Sequence, residues 1–95
     1  MEQYEDAIAS YYQAIQIKPH YFEAWLHQGI ALYELKQYEA AITAYEKVIE
    51  IKPYYAVTWL HRGLALYQLQ QYQEAICSYN EAVRLRPSYD GKISF

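Results

Sequence analysis

Apolar positions along the chain follow helical spacing, and the same helical stripes then return at a fixed distance. Over residues 22–35 (FEAWLHQGIALYEL), Trp25, Gly29 and Leu32 stand at i, i+4 and i+7, one face of a 3.6-residue helix. Over residues 38–51 (YEAAITAYEKVIEI), Tyr38, Ala41, Ile42, Tyr45, Val48 and Ile49 form a second stripe. Pro53, preceded by Lys52, ends that segment, because proline lacks an amide proton and disfavours α geometry in its predecessor. Lys18-Pro19 and Arg86-Pro87 repeat the ending, each with a cation near the negative end of a helix dipole. The distance is constant: for Tyr4, Tyr38 and Tyr72, 38 − 4 = 34 and 72 − 38 = 34, and the same offset joins Ala7, Ala41 and Ala75, Trp25 and Trp59, His27 and His61, and Gly29 and Gly63. A strict period of this length marks a stack of supersecondary units that bury their apolar faces against their neighbours.

Propagating the pattern predicts helices at about 3–17, 22–35, 38–51, 56–69 and 72–86, with no strand. One all-α domain results, divided into a half repeat over 1–21, full repeats over 22–55 and 56–89, and a tail over 90–95. The connections Lys36-Gln37 and Gln70-Gln71 are short enough to make their flanking helices antiparallel neighbours. Gly29 with Ala41, and Gly63 with Ala75, fall where the two helices of such a hairpin must approach closely.

Composition narrows the classes. The chain has 95 residues, 54% of them hydrophobic, and a formal charge of −3, which fits one folded body. No apolar run approaches the roughly 18 to 20 residues of a membrane span, which argues against a membrane protein. Eight Lys and Arg residues spread along the chain form no basic stripe, which argues against nucleic acid as a ligand. A single Cys77 cannot form an internal disulfide, and the residues after Met1 do not read as a signal segment, so the expected location is the cytoplasm. Of thirteen tyrosines, all but Tyr12 and Tyr54 are repeat equivalents of one another.

These residues resemble the tetratricopeptide repeat, a 34-residue helix–turn–helix unit with an aromatic, a small residue, an alanine and a closing proline at fixed phases. The pattern reads Trp25, Gly29, Tyr38, Ala41, Tyr45 and Pro53, then Trp59, Gly63, Tyr72, Ala75, Tyr79, Ala82 and Pro87, with Tyr4, Ala7, Tyr11, Ala14 and Pro19 in front. The resemblance implies a right-handed α-α superhelix, a solenoid of five helices and about two and a half repeats, whose first helices line a concave groove for a peptide or protein surface. It implies no catalysis and no cofactor. Lys36 and Gln70 stand where the family often carries glycine, and a left-handed turn there costs up to about 1 kcal/mol more than with glycine. Gln28 and Arg62 occupy a position commonly leucine, and Val48 replaces the alanine found at Ala14 and Ala82. The family's grip on a C-terminal carboxylate uses lysines, asparagines and an arginine at phases that here hold Leu26, His27, Ile30, Val57, His61 and Leu64, so that clamp is absent.

The groove also follows from the residues alone. At 100° per residue from Trp25, the packing stripe covers about −20° to 40°, while Tyr33, Leu26 and Ile30 fall near 80°, 100° and 140°, an arc wider than one packing contact needs. Tyr67, Leu60 and Leu64 repeat the arc, and Glu23, His27 and Glu34 border it. Two arrangements fit: ordinary core between adjacent helices, or an exposed apolar patch that marks an interaction surface. On the second, the groove comprises Glu23, Leu26, His27, Ile30, Tyr33, Val57, Leu60, His61, Leu64 and Tyr67, and its partner is a protein or peptide bearing apolar or aromatic residues. Tyr21, Tyr54, Tyr55 and Tyr89, after the helix-closing prolines, either line its rim or pack between units.

No catalytic or metal site is expected. His27 and His61 lack a third ligand, Cys77 has no cationic or CxxC context and reads as a buried structural residue, and Glu46, Glu50, Glu74 and Glu81 read as solvated outer faces. The function expected is a non-catalytic protein-interaction module. The alternatives are a self-assembling repeat unit or the scaffold portion of a larger multidomain protein. The ends favour association: Tyr4, Ala7, Ile8, Tyr11, Ile15 and Ile17 on the first helix want cover, and so do Ala75, Ile76, Tyr79, Val83 and Leu85 on the last, which only the tail through Ile93 and Phe95 is placed to shield in part. A homo-oligomer through the terminal helices is the expected consequence.

Overall fold

The structure, a computed structural model, describes residues 2–89; Ile93 and Phe95 lie outside them. Five α-helices follow in order, α1 (Glu2–Ile17), α2 (Phe22–Glu34), α3 (Tyr38–Ile51), α4 (Ala56–Gln68) and α5 (Tyr72–Leu85), and a 3-10 turn at Pro87–Tyr89 closes the described chain. No strand occurs among the described residues. Every helix end falls within one residue of its expected place, since prolines and left-handed turns set the boundaries and both are written in the sequence.

The α2–α3 and α4–α5 connections use the same device. Lys36 and Gln70 adopt left-handed backbone, with φ of 63° and 61°. The Gln37 amide donates back to Leu32 O at 2.9 Å and the Lys36 amide to Tyr33 O at 2.8 Å; Gln71 with Leu66 and Gln70 with Tyr67 repeat the pair. This pair of hydrogen bonds is the Schellman closure, and it caps the last carbonyls of each first helix. At the other connections, Trp25 Nε1 donates to Pro19 O at 2.9 Å and Trp59 Nε1 to Pro53 O at 3.0 Å. Each indole thereby ties the start of a first helix to the proline turn that leads into it.

Successive helices pack pairwise, and α2 also touches α4, whereas α3 approaches neither α1 nor α5 so closely. The stack is therefore tighter along its first helices, as an inner curve requires. Leu26, Ala41, Tyr45, Val48 and Ala65 form one buried cluster and Leu66, Ala75 and Tyr79 another, with Ile42 packed against both. Tyr45 and Val48 are fully enclosed, so the larger Val48 is accommodated where the other units have alanine.

Arg62 joins three helices. From α4 its Nε and Nη2 donate to Glu46 Oε2 on α3 at 3.2 and 3.1 Å, its Nη1 donates to the fully buried Ser78 Oγ on α5 at 2.7 Å, and Glu74 lies 3.9 Å away. The glutamates read as solvated faces are thus partly engaged: Glu46 and Glu74 with Arg62, Glu50 with Lys47, and Glu81 with Arg84. The like-charge pair Glu46 and Glu50 is relieved because each finds its own cation.

Candidate functional site: the first-helix face

Helices α2 and α4 run side by side and carry all ten expected groove residues. Glu23 and His27 are exposed; Ile30, Tyr33, Val57, Leu60, His61 and Tyr67 are half-buried. Leu64 is 36% exposed, while Leu26 is only 7% exposed and belongs to the buried cluster. Both expected arrangements therefore occur in one strip. Leu26 points inward as core, packed in the cluster with Tyr45, Val48 and Ala65, and its surface contribution is negligible. Ile30 and Leu64, 40° farther round on the helical wheel, face outward more.

The two tyrosines tie the strip together. Gln68 Nε2 on α4 donates to Tyr33 Oη on α2 at 3.4 Å, across the seam between units. Tyr33 packs edge-on against Tyr38 with ring centroids 5.2 Å apart, and Tyr67 meets Tyr72 at the same distance. Tyr33 and Tyr67 are thus each anchored by the first residue of the following helix.

Each histidine stacks on a tyrosine of the preceding helix, His27 on Tyr11 at 5.5 Å and His61 on Tyr45 at 5.6 Å. Burial lowers the His61 pKa below its ordinary value and favours neutral imidazole. Stacking accounts for both side chains. The described residues contain no group of three His, Cys, Asp or Glu side chains placed to bind a metal ion.

Beneath the strip lies a feature that periodicity does not reveal. The Tyr45 hydroxyl is buried without a hydrogen-bond partner, and burial first, then the neighbouring Tyr33 and Glu34, raises its pKa. Burial together with Tyr33 and Tyr67 pushes the Tyr79 hydroxyl up to about 12. The phenols of Tyr33, Tyr45, Tyr67 and Tyr79 therefore lie near one another under and along the first-helix face. The clue in the sequence was the count of tyrosines at repeating phases, but only packing brings the four together.

Three further expectations meet the structure here. Cys77 is exposed rather than buried, as are its repeat equivalents Ala9 and Thr43, so this phase of the second helix faces outward in every unit. Tyr21, Tyr54 and Tyr55 are exposed at 45%, 79% and 40%, and Tyr55 also meets Phe22 edge-on at 5.5 Å. At the ends, Ile15, Ala75 and Tyr79 are buried within the stack, while Tyr4, Ile17 and Ile76 remain exposed. The apolar end faces are accordingly smaller than the bare stripes suggested.

Family profiles match almost the whole chain: one described as TPR repeat over residues 1–36 and 29–70, and one described as Tetratricopeptide repeat over 56–89. The chain belongs to the tetratricopeptide repeat family. Among solved tetratricopeptide repeat structures, it resembles the Arabidopsis OM64 TPR domain with a TM-score of 0.89 and 25% identity, covering 94% of this chain and 74% of that one. It resembles MamA with a TM-score of 0.87 and 27% identity over 90% of this chain, and spans 50% of that protein's chain. The first TPR of Spaghetti (RPAP3), solved bound to the HSP90 peptide SRMEEVD, has a TM-score of 0.87 at 23% identity, covering 90% of this chain and 68% of that one; that likeness is one of fold. No curated protein matches the sequence. The fold is thus the right-handed all-α superhelix of tetratricopeptide repeats, an architecture that serves as a protein-interaction module. No described helix is long and apolar enough to cross a membrane.

Proposed function

We propose that this chain is a non-catalytic module that binds a peptide or protein segment along the face of α2 and α4. The observation that carries the reading is the exposed Leu64 with the half-buried Ile30 on one strip, flanked by tyrosines whose rings are braced. Braced tyrosines offer large contact area with little side-chain entropy to lose. The remaining contacts come from Glu23, His27, Val57, Leu60 and His61, with Leu26 supporting from below. No lysine or arginine stands among these positions, so an acidic tail such as the HSP90 peptide held by the RPAP3 repeat is a poor fit. A segment with apolar or aromatic side chains suits the strip. The proposed site of action is the cytoplasm, in keeping with a lone, exposed, unpaired Cys77.

The test is affinity capture from the source cell with the native chain and with Leu64→Asp or Tyr33→Ala/Tyr67→Ala. Partners that bind both equally would refute a groove mode. Leu64 is exposed enough that its aspartate variant should keep the native circular-dichroism spectrum.

A second reading, self-association through the ends, draws on Tyr4, Tyr12 and Ile17 of α1 and Tyr72 and Ile76 of α5, all exposed. Sedimentation across a concentration series tests it, and a monomer at about millimolar concentration would sink it.

A further inference from the structure

One edge of the solenoid carries a feature the groove does not use. The two connections from a second helix to the next first helix read Lys18-Pro19-His20-Tyr21 and Lys52-Pro53-Tyr54-Tyr55, and each forms an open depression, of about 530 Å³ at the first and about 480 Å³ at the second. Lys52 Nζ sits 4.7 Å from the centroid of the Phe22 ring, and that ring meets Tyr55 edge-on, so the first turn's helix start abuts the second turn and the two depressions are neighbours on one edge. Arg86-Pro87-Ser88-Tyr89 continues the row, with Arg86 over the Tyr89 ring at 5.4 Å.

The chemistry of this edge is opposite to that of the whole chain. The net charge is −3, yet none of the segments 17–21, 51–55 and 86–89 contains a carboxylate. Lys18, Lys52 and Arg86 are exposed, and among the described residues none of them has a carboxylate partner; the ion pairs involve Lys47, Arg62 and Arg84 instead. Beside each cation stands a tyrosine, and Tyr54, at 79%, is the most exposed large apolar side chain described. A cation and a phenol side by side both donate to a carboxylate, while the ring and proline give an apolar floor for the ligand backbone. Packed first helices lie about 10 Å apart, and three residues of extended chain rise about 10 Å.

We propose that this turn edge is a second docking strip, taking an extended acidic peptide with a carboxylate at every third residue, one carboxylate for each Lys/Arg and tyrosine pair. Three cations on a net acidic chain neutralise too few phosphates to favour a polynucleotide, so the ligand is a peptide. The strip is independent of the first-helix face, and either can be present without the other.

The experiment is fluorescence anisotropy of a labelled dodecapeptide repeating Glu-Ser-Thr, titrated with the full chain. Saturable binding is expected, weakened about tenfold by Lys18→Glu/Lys52→Glu, since each exposed charge contact contributes modestly. Tyr54→Ala should weaken it several-fold with the native circular-dichroism spectrum retained, Lys18→Gln/Lys52→Gln should fall in between, and added salt should loosen the complex. The groove variant Leu64→Asp should bind the peptide as the native chain does. The proposal is overturned by absence of saturation at about 1 mM protein, by equal binding of the Gln-Ser-Thr repeat, by tighter binding of an oligothymidylate, or by loss of binding with Leu64→Asp while Lys18→Glu/Lys52→Glu binds normally.

Discussion

Gly29 lies directly under the ring of Tyr45: a Cβ at position 29 would come within 2.5 Å of Tyr45 Cε1 and 2.7 Å of Cδ1. The repeat equivalent Gly63 is roomier, with Ala75 O and the Tyr79 ring carbons at 3.3 Å. Tyr45 is fully buried and has no free rotamer to retreat into, whereas the wall around Gly63 need give only a few tenths of an ångström. Alanine within a helix gains about 1 kcal/mol over glycine, and overpacking costs about 1 to 3 kcal/mol. Gly29→Ala should therefore destabilise the fold by up to about 2 kcal/mol, while Gly63→Ala stays within about 1 kcal/mol of native in urea titrations. Equal losses at both positions would show that the ring does not set the difference.

Thr58 is fully buried, and its Oγ1 finds no partner. The equivalent position one unit earlier is Ala24, which is also buried. The hydroxyl is thus an uncompensated polar group rather than a device of the repeat. Thr58→Val keeps the branched shape and removes the orphan oxygen, and should raise stability by about 1 kcal/mol, read as a higher melting temperature. A lower melting temperature would mean that the hydroxyl is satisfied in solution.

Lys36 and Gln70 hold left-handed backbone that side chains other than glycine adopt at a cost. Both are exposed, so their side chains contribute little else to the fold. Lys36→Gly and Gln70→Gly should each stabilise by about 1 kcal/mol, additively, since separate units hold them. Unchanged melting for both would indicate that backbone freedom gained by the unfolded chain cancels the relief.

What was legible in the sequence is what repeats. The helix ends, the proline turns, the left-handed residues and the glycine contacts recur every 34 residues, so each could be read twice. What breaks the period could not be read. Arg62 bridges Glu46, Glu74 and Ser78, but the same phases one unit earlier hold Gln28 with Tyr12, Ala40 and Ala44, and Gln28 Oε1 is buried without a partner. The inward turn of Leu26 was equally hidden, because a helical wheel gives direction but not how far the neighbouring helix reaches across. Exposure of Tyr54 was undecidable for the same reason: a turn has no face until the units are stacked.

The His61–Tyr45 stack makes one part of the stability pH-dependent. Burial lowers the folded-state pKa of His61, so between that value and the ordinary one near 6.5 the unfolded chain binds more protons than the folded chain. Stability must then rise with pH through this window and fall as pH drops below about 6.5, levelling off once the folded imidazole is also protonated. His61→Phe retains an aromatic ring over Tyr45 but carries no titrating proton. Carboxylates and the other histidines titrate in both proteins and cancel in the difference. The melting temperature of His61→Phe relative to native should therefore climb as pH is lowered from about 7.5 to about 5, and stay constant above about 7.5. A difference that is flat across this range would mean that the imidazole is as well solvated folded as unfolded, and that the stack leaves its edge open to water.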